Sequence, residues 1–356
     1  DELLAILLGV WDHIKNGGDH GAENWALDWF GFLPGKRESR RFIGQYTLTE
    51  SDVFNSRPFH DAIAYGGWPI DIHPPDGVDA KDERPADQHQ VDRLYDIPLR
   101  SCVSAGPRHL MFAGRNISAT HVAFASTRVM ATCAVVGQGV GTAAAHAARH
   151  GIDPADLAAR PDDLSAIQQR LLRDDAYLIG HLNEDPADLA PSARISASSE
   201  QPSGLAANAT RGQTRAVHGP KGAPLDRTIP GTHRWMSNPD AGLPAFLELE
   251  WDRPVLPREL QLIFDTGMHR PLTLTHSDAY AARMLWGQPQ PETVRDYSID
   301  GFLNGGWLRL ATVRGNYQRR RAHELQCPAP LTRLRITATA TNGLDHARVC
   351  EIRVYE

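Results

Sequence analysis

Apolar residues at Leu3, Ile6, Leu7, Val10, Trp11 and Ile14 recur every three or four positions, with Asp1 and Glu2 at the end where a helix dipole favours negative charge. With Gly17 and Gly18 as a stop, this stretch predicts an amphipathic helix. Over residues 34–100 the periodicity dissolves into short β-branched and aromatic runs between turn residues. Within it, GGWPIDIHPPDG (residues 66–77) places His73 and Pro74 each before a proline, which disfavours the α region and predicts a stiff, extended segment. Charged residues crowd positions 76–92, an expected exposed excursion. HLMFAG (109–114) predicts a short strand closed by glycine, and residues 127–150 predict one long helix stopped by Gly151. One or two helices are expected over 153–189, with residues 185–191 as a linker. Beyond Ser192 the pattern changes to period two. Alternation at 245–251, 259–264, 331–337 and 348–355, between Pro and Gly turns, predicts an antiparallel β-sandwich or barrel.

A chain of 356 residues accommodates two domains, each with its own core. Charged residues make up 22% and the net charge is -6, so there is no general electrostatic footprint for nucleic acid or an anionic membrane. The basic cluster Arg319, Arg320 and Arg321, with Arg314 nearby, reads as a solvated loop or strand end. The apolar run 3–11 is broken by Asp12 and falls short of the roughly 20 residues a bilayer span needs. Without an initiator Met or a signal-like segment, the chain is expected to begin after processing or partway through a longer product. Cys102, Cys133, Cys327 and Cys350 show no CxxC spacing, which argues against zinc and against a redox pair. Buried free thiols are the favoured reading, with a Cys327–Cys350 pair open in an oxidising compartment.

Gly137, Gly139 and Gly141 invite a dinucleotide fingerprint, but G-x-G-x-x-G needs glycine where Thr142 stands. Gly137 and Gly141, four apart on one helix face, instead suggest close approach of that helix to a sheet or a cofactor. The junction Ala113-Gly114-Arg115 is more informative, because ligands sit where strands end in open α/β sheets. Ser118, Thr120, His121, Ser126 and Arg128 follow it, ahead of a helix whose free N–H groups carry positive partial charge. Together they point to an anionic or electron-rich ligand.

Residues 95–151, YDIPLRSCVSAGPRHLMFAGRNISATHVAFASTRVMATCAVVGQGVGTAAAHAARHG, resemble the C-terminal flavin-binding segment of a family of FAD-dependent oxidoreductases sometimes labelled xanthan-lyase-related. LPGKRESRRFIGQYTLTESDV (33–53) and GGWPIDIHPPDG resemble that family's cap-region motifs, so the resemblance spans about residues 1–185. It implies an α+β or α/β architecture: the C-terminal part of a GR2-type FAD-binding fold with its cap region. It also implies FAD as cofactor, with Ala113, Gly114, Arg115, Asn116 and Ser118 along the ribityl and pyrophosphate portion. Arg128, Val129 and Met130 would face the isoalloxazine, with Ser126 in the same cofactor-binding set. A helix N-terminus there stabilises the negative charge a reduced flavin develops. Two departures stand out. Arg115 occupies a position where many relatives carry an acid, and its fork suits phosphate oxygens. The sequence also contains no strand–GxGxxG–helix for the ADP half, so the implied site is half a site. Its remainder would come from an N-terminal FAD/ADP-binding half or partner subunit, unless the cofactor has been lost.

Flavin oxidation of an alcohol needs a base near the hydroxyl, and His73 and His121 are the candidates, each also open to a structural role. Arg37 and Arg40, with Arg41, would orient a carboxylated sugar, although ion pairs to Glu38 or Glu50 explain them equally. Residues 192–356 resemble the galactose-binding-like, discoidin-type jelly-roll sandwich, through Ser196-Ala-Ser-Ser199, Trp235-Met-Ser237, the run 246–250 and the final strand. Arg211 stands where a carboxylate would ligate calcium in that group, so no metal is expected. Trp286 and Trp307 could stack on sugar rings, with core or inter-domain packing as the favoured alternative. The expected function is oxidation of an alcohol of a carbohydrate or polyol. The alternative is a non-enzymatic carbohydrate-binding or scaffold protein with a vestigial flavin domain.

Overall fold

The computed structural model describes all residues except 34, 36, 37, 39, 218–221, 223–230 and 269–277. The chain divides into two compact units, Asp1–Arg41 and Phe42–Glu356. In the first, helix α1 (Glu2–Asp12) forms where the apolar periodicity predicts it, but none of its residues is buried, and Leu3, Leu8 and Val10 are exposed. The chain past it is gathered by Lys15, whose Nζ donates to the carbonyls of Ala22 and Trp25 at 3.1 and 2.8 Å.

The second unit holds two hydrophobic clusters. The first runs from Leu48 to Leu178 and contains α2 (Glu50–Phe54), β1 (Ala62–Gly66), β2 (Ile70–Ile72), β3 (Asp87–His89) and β4 (Tyr95–Pro98). It continues with α3 (His121–Thr127), α4 (Met130–His150) and α5 (Pro161–Arg173). Strands β1 and β4 pair antiparallel, as do β2 and β3. Helix α4 buries Val136, Gly139, Val140, Ala143 and Ala147, the three- and four-residue spacing of one face. Gly139 is the residue that permits close approach to the sheet, because a Cβ there would sit 2.5 Å from the Ile63 carbonyl oxygen. Gly137 and Gly141, the pair singled out by the sequence, face open space instead. Gly151 ends α4 in the left-handed conformation, φ 63°, as expected.

Two expectations fail here. Residues 109–114 form no strand: Met111 makes a single bridge to Val103, and Phe112 N–H donates to the Cys102 carbonyl at 2.9 Å. Pro107 before the run and the φ of +88° at Gly114 after it leave too few residues for a ladder. The long helix is also broken. Arg128 caps α3, and Val129 (φ -69°, ψ 147°) is extended before α4 restarts at Met130.

The second cluster is an antiparallel β-sandwich. One sheet has the order β10-β9-β12-β7-β5, from β5 (Arg194–Ala197), β7 (Ala245–Val255), β9 (Val294–Leu303), β10 (Gly306–Val313) and β12 (Leu331–Thr341). The other has the order β11-β8-β13-β6, from β6 (Trp235–Met236), β8 (Glu259–Phe264), β11 (Arg320–Glu324) and β13 (Arg348–Tyr355). Leu247, Leu249, Leu334 and Ile336 on the first sheet face Leu260, Leu262, Ile352 and Val354 on the second, the inward half of each alternation. The outward half of β8 and β13 is buried as well, because α5 and the segment after it cover that side. Arg353 Nη1 donates to the Leu172 carbonyl at 2.8 Å, and the Arg173 guanidinium lies 3.7 Å over the Tyr355 ring. Arg319 is not a solvated strand end. Its Nε donates to Asp175 at 2.6 Å across the same boundary. All four cysteines are free, so Cys327 and Cys350 do not pair.

Candidate functional site

The candidate site is the break between α3 and α4. Its position follows from local chemistry. Thr120 caps α3 by accepting from Ala123 N–H at 3.2 Å and donates to Glu50 at 2.9 Å, which fixes the helix start. Buried Ser126 then donates to the Trp68 carbonyl at 2.6 Å and bonds the Tyr95 hydroxyl at 2.6 Å, tying α3 to the loop before β2 and to β4. Ser126 is therefore committed to holding the scaffold.

Arg128 leaves the helix at this break and donates from Nη2 to the Asp71 carboxylate at 2.9 Å and to its backbone carbonyl at 3.1 Å. Asp71 also bonds His73 Nε2 at 3.1 Å and accepts from Gln88 at 3.2 Å. The other ring nitrogen of His73, Nδ1, faces the Pro85 carbonyl at 2.8 Å. The Pro85 carbonyl and the Asp71 carboxylate are both acceptors, so each ring nitrogen of His73 faces an acceptor. Burial pushes the Asp71 carboxyl up, but the Gln88 bond and the charges of His73 and Arg128 outweigh it and hold the carboxyl below its usual range.

Helix α4 begins immediately after, and no side chain caps it. Its first-turn N–H groups thus keep their positive end open to a ligand over a helix of 21 residues. Met130 at its first position is 82% exposed. The turn at 113–116 lies close by, for Arg115 acts electrostatically on the Cys133 thiol in the first turn of α4, opposing the upward push of burial. Ala113 and Arg115 are exposed, and a Cβ on Gly114 would meet only Asn116 Oδ1 at 4.0 Å. Asn116 anchors the turn through its backbone carbonyl, which accepts from Phe42 N–H at 3.0 Å. Ser118 points away from this space; it is buried, and its hydroxyl bonds that of Thr47 at 3.1 Å.

His121 is exposed at the first position of α3, whereas His73 is joined to Arg128 at the other end. At about 1.5 Å per residue the two ends are about 10 Å apart, so the structure separates the two histidines rather than pairing them. Arg40 is exposed in the first unit, Arg41 pairs with Glu38 there, and Arg37 lies outside the described residues. Asp71 is the member sequence reasoning missed. Its signal was available: Asp71 and His73 are two apart at an extended strand end, which puts both on one side. In the sandwich, Trp286 and Trp307 are both exposed, and Trp307 stacks edge-on with Phe302 at 5.3 Å and carries the Arg335 guanidinium at 4.2 Å.

The uncapped long helix and the open glycine turn beside it offer donors and positive potential to an anionic ligand. Residues 1–171 match the family model described as FAD dependent oxidoreductase, and FAD is the cofactor of that family. This region thus matches an FAD-dependent oxidoreductase family over slightly less than half of the chain, and a β-sandwich follows it. No curated protein matches the chain. Among solved structures, it is similar to the family 32 carbohydrate-binding module of C. perfringens NanJ in complex with galactose, at 16% identity over 48% of this chain and 98% of that one, TM-score 0.33. It is also similar to chitosan-binding module 1 of a chitosanase/glucanase from Paenibacillus sp. IK-5, at 14% identity over 48% and 98%, TM-score 0.31.

The residues present fit the flavin end of FAD. The space a Cβ at Gly114 would occupy is open, and the α4 N-terminus offers donors for negative charge. Gly114, Arg115 and the first turn of α4 would hold it. The adenosine half has no G-x-G-x-x-G turn anywhere in the 356 residues.

Proposed function

We propose that this chain carries the flavin-facing part of an oxidoreductase acting on an alcohol of a carbohydrate or polyol. The ADP half of the cofactor is held by an N-terminal segment or partner chain outside these residues. The supporting observation is the linkage His73–Asp71–Arg128, built at the uncapped start of α4. FAD, when bound, supplies the hydride acceptor. His73 is the first candidate for the base, its ring oriented at Nδ1 by the Pro85 carbonyl; the substrate hydroxyl would displace Asp71 from Nε2 and give its proton there, while Arg128 holds Asp71 and adds positive charge beside the helix terminus. His121 is the second candidate for the base. Arg40 and Arg37 are assigned to a substrate carboxylate.

The test is co-expression of the chain with an N-terminal ADP-binding half, followed by flavin absorbance and its bleaching by aldoses and polyols. The expected result is a yellow complex reduced by a sugar, with kcat lowered about 10²–10⁴-fold in His73→Ala while flavin content stays constant. A colourless complex that binds glycans would instead support a non-enzymatic carbohydrate-binding or scaffold protein. Unchanged turnover in both His73→Ala and His121→Ala would remove the histidines from the mechanism.

A further inference from the structure

Far along the chain from the α3–α4 break, a cavity of about 200 Å³ is lined by Tyr65 of β1 and by Arg215, Arg234, Asp265, Arg319 and Cys350 of the sandwich half, among others. Its charges are unbalanced. Arg319 binds Asp175 at 2.6 Å, and Arg215 reaches the same carboxylate at 3.7 Å while donating from Nη2 to the Asp175 carbonyl at 2.6 Å. Arg234 and Arg348 share Asp265 Oδ2 at 2.6 and 3.3 Å. Four guanidiniums therefore meet two carboxylates among the described residues. The nearby Arg353 and Glu351 pair with each other at 2.9 Å and leave the excess unchanged. The Cys350 thiol, pushed up to about 12 by burial against the opposing charge of Arg319, brings no negative charge either.

The donors are unbalanced too. Nε and Nη1 of Arg215 and Nε of Arg234 are buried without a hydrogen-bond partner. Burying a charged fork with unmet N–H groups costs free energy that an acceptor in the cavity would recover. Both carboxylates are already engaged, so the site offers little to a neutral hydroxyl. It offers donors in a planar fork to oxygens bearing negative charge.

We propose that this cavity binds a small oxyanion, the carboxylate of an acidic sugar or a phosphoryl group, through Arg215 and Arg234. The site does not depend on the flavin reading, since none of its residues belongs to the α3–α4 break.

Calorimetric titration of the full chain with glucuronate, inorganic phosphate and glucose tests it. Saturable binding of glucuronate, phosphate or both, with none for glucose, is the expected result. Glucuronate alone identifies a carboxylate, and phosphate alone a phosphoryl group. Arg215→Lys keeps a cation beside Asp175 but removes the fork, and is expected to weaken binding about tenfold or more. Arg234→Gln, checked for folding by circular dichroism, is expected to do the same and covers the case in which the first variant is unstable. Absence of saturable binding to either anion, equal binding of glucose, or unchanged affinity in folded variants would overturn the proposal.

Discussion

Asp71 and Asp175 each receive arginine, and the two sites behave differently. At Asp71 one guanidinium, one imidazole and one amide share a carboxylate that is 15% exposed, so acceptors and donors balance at an accessible rim. At Asp175 two guanidiniums crowd a buried carboxylate, and part of Arg215 is left without an acceptor. Asp96 supplies the third case. It is buried with Phe59 N–H on Oδ2 at 3.0 Å but no cation, and burial, with some help from Asp61, pushes its carboxyl up to about 7. Asp175, also buried, is held below the usual range because Arg215 and Arg319 outweigh desolvation. The comparison teaches that neighbours rather than depth set the sign of a carboxylate's shift.

Asp175→Asn would break the comparison most severely. Asparagine tolerates the φ of 64° found there, so the variant tests charge rather than backbone. Leaving Arg215 and Arg319 buried without their carboxylate is expected to cost about 3–5 kcal/mol in urea unfolding; a loss near zero would mean that solvent already neutralises the cluster. Asp96→Asn sharpens the contrast with the opposite sign. The folded carboxyl titrates near 7 and the unfolded one near about 4, so the folded state holds an extra proton between them, and stability falls as pH rises through that window. The variant should escape this, gaining about 4 kcal/mol well above pH 7 and little at pH 4. A gain independent of pH would contradict it. Asp71→Asn should have the smallest effect on stability, about 1 kcal/mol or less, because the site is accessible. Its carboxyl is held low, so its contribution is present at neutral pH and lost as pH falls through the lowered value. Melting curves of parent and variant should therefore converge in acid; divergence there would show that the ion pair is not the cause.

The sandwich was the more legible half. Period-two alternation placed β7, β8, β12 and β13 to within a few residues, because an antiparallel strand with one face on a core writes that alternation into the sequence. The same pattern misled about exposure, since Glu351 and Arg353 occupy outward positions and yet are buried beneath the first cluster. Only tertiary packing decides that. In the first half, α4 was readable from its small and apolar residues, but its break at Arg128 and Val129 was not, because both residues suit a continuous helix and the Arg128 contact to Asp71 is tertiary. The turn at Gly114 was found by its glycine, while the strand assigned before it was one bridge long. His73 is legible by residue type, whereas its partner Asp71 is legible only from the side of the extended segment that the two share.

The sheet formed by β11, β8, β13 and β6 has no wet side where α5 crosses it. Separating the C-terminal half from the rest would bring Gln261, Ile263, Arg353 and the ring of Tyr355 into water together, and would strip Asp175 from Arg319. Portable modules joined by a tether can be swapped between hosts without repair. This one is grafted along a whole face, so any protein that inherited it would have had to inherit the matching helix as well.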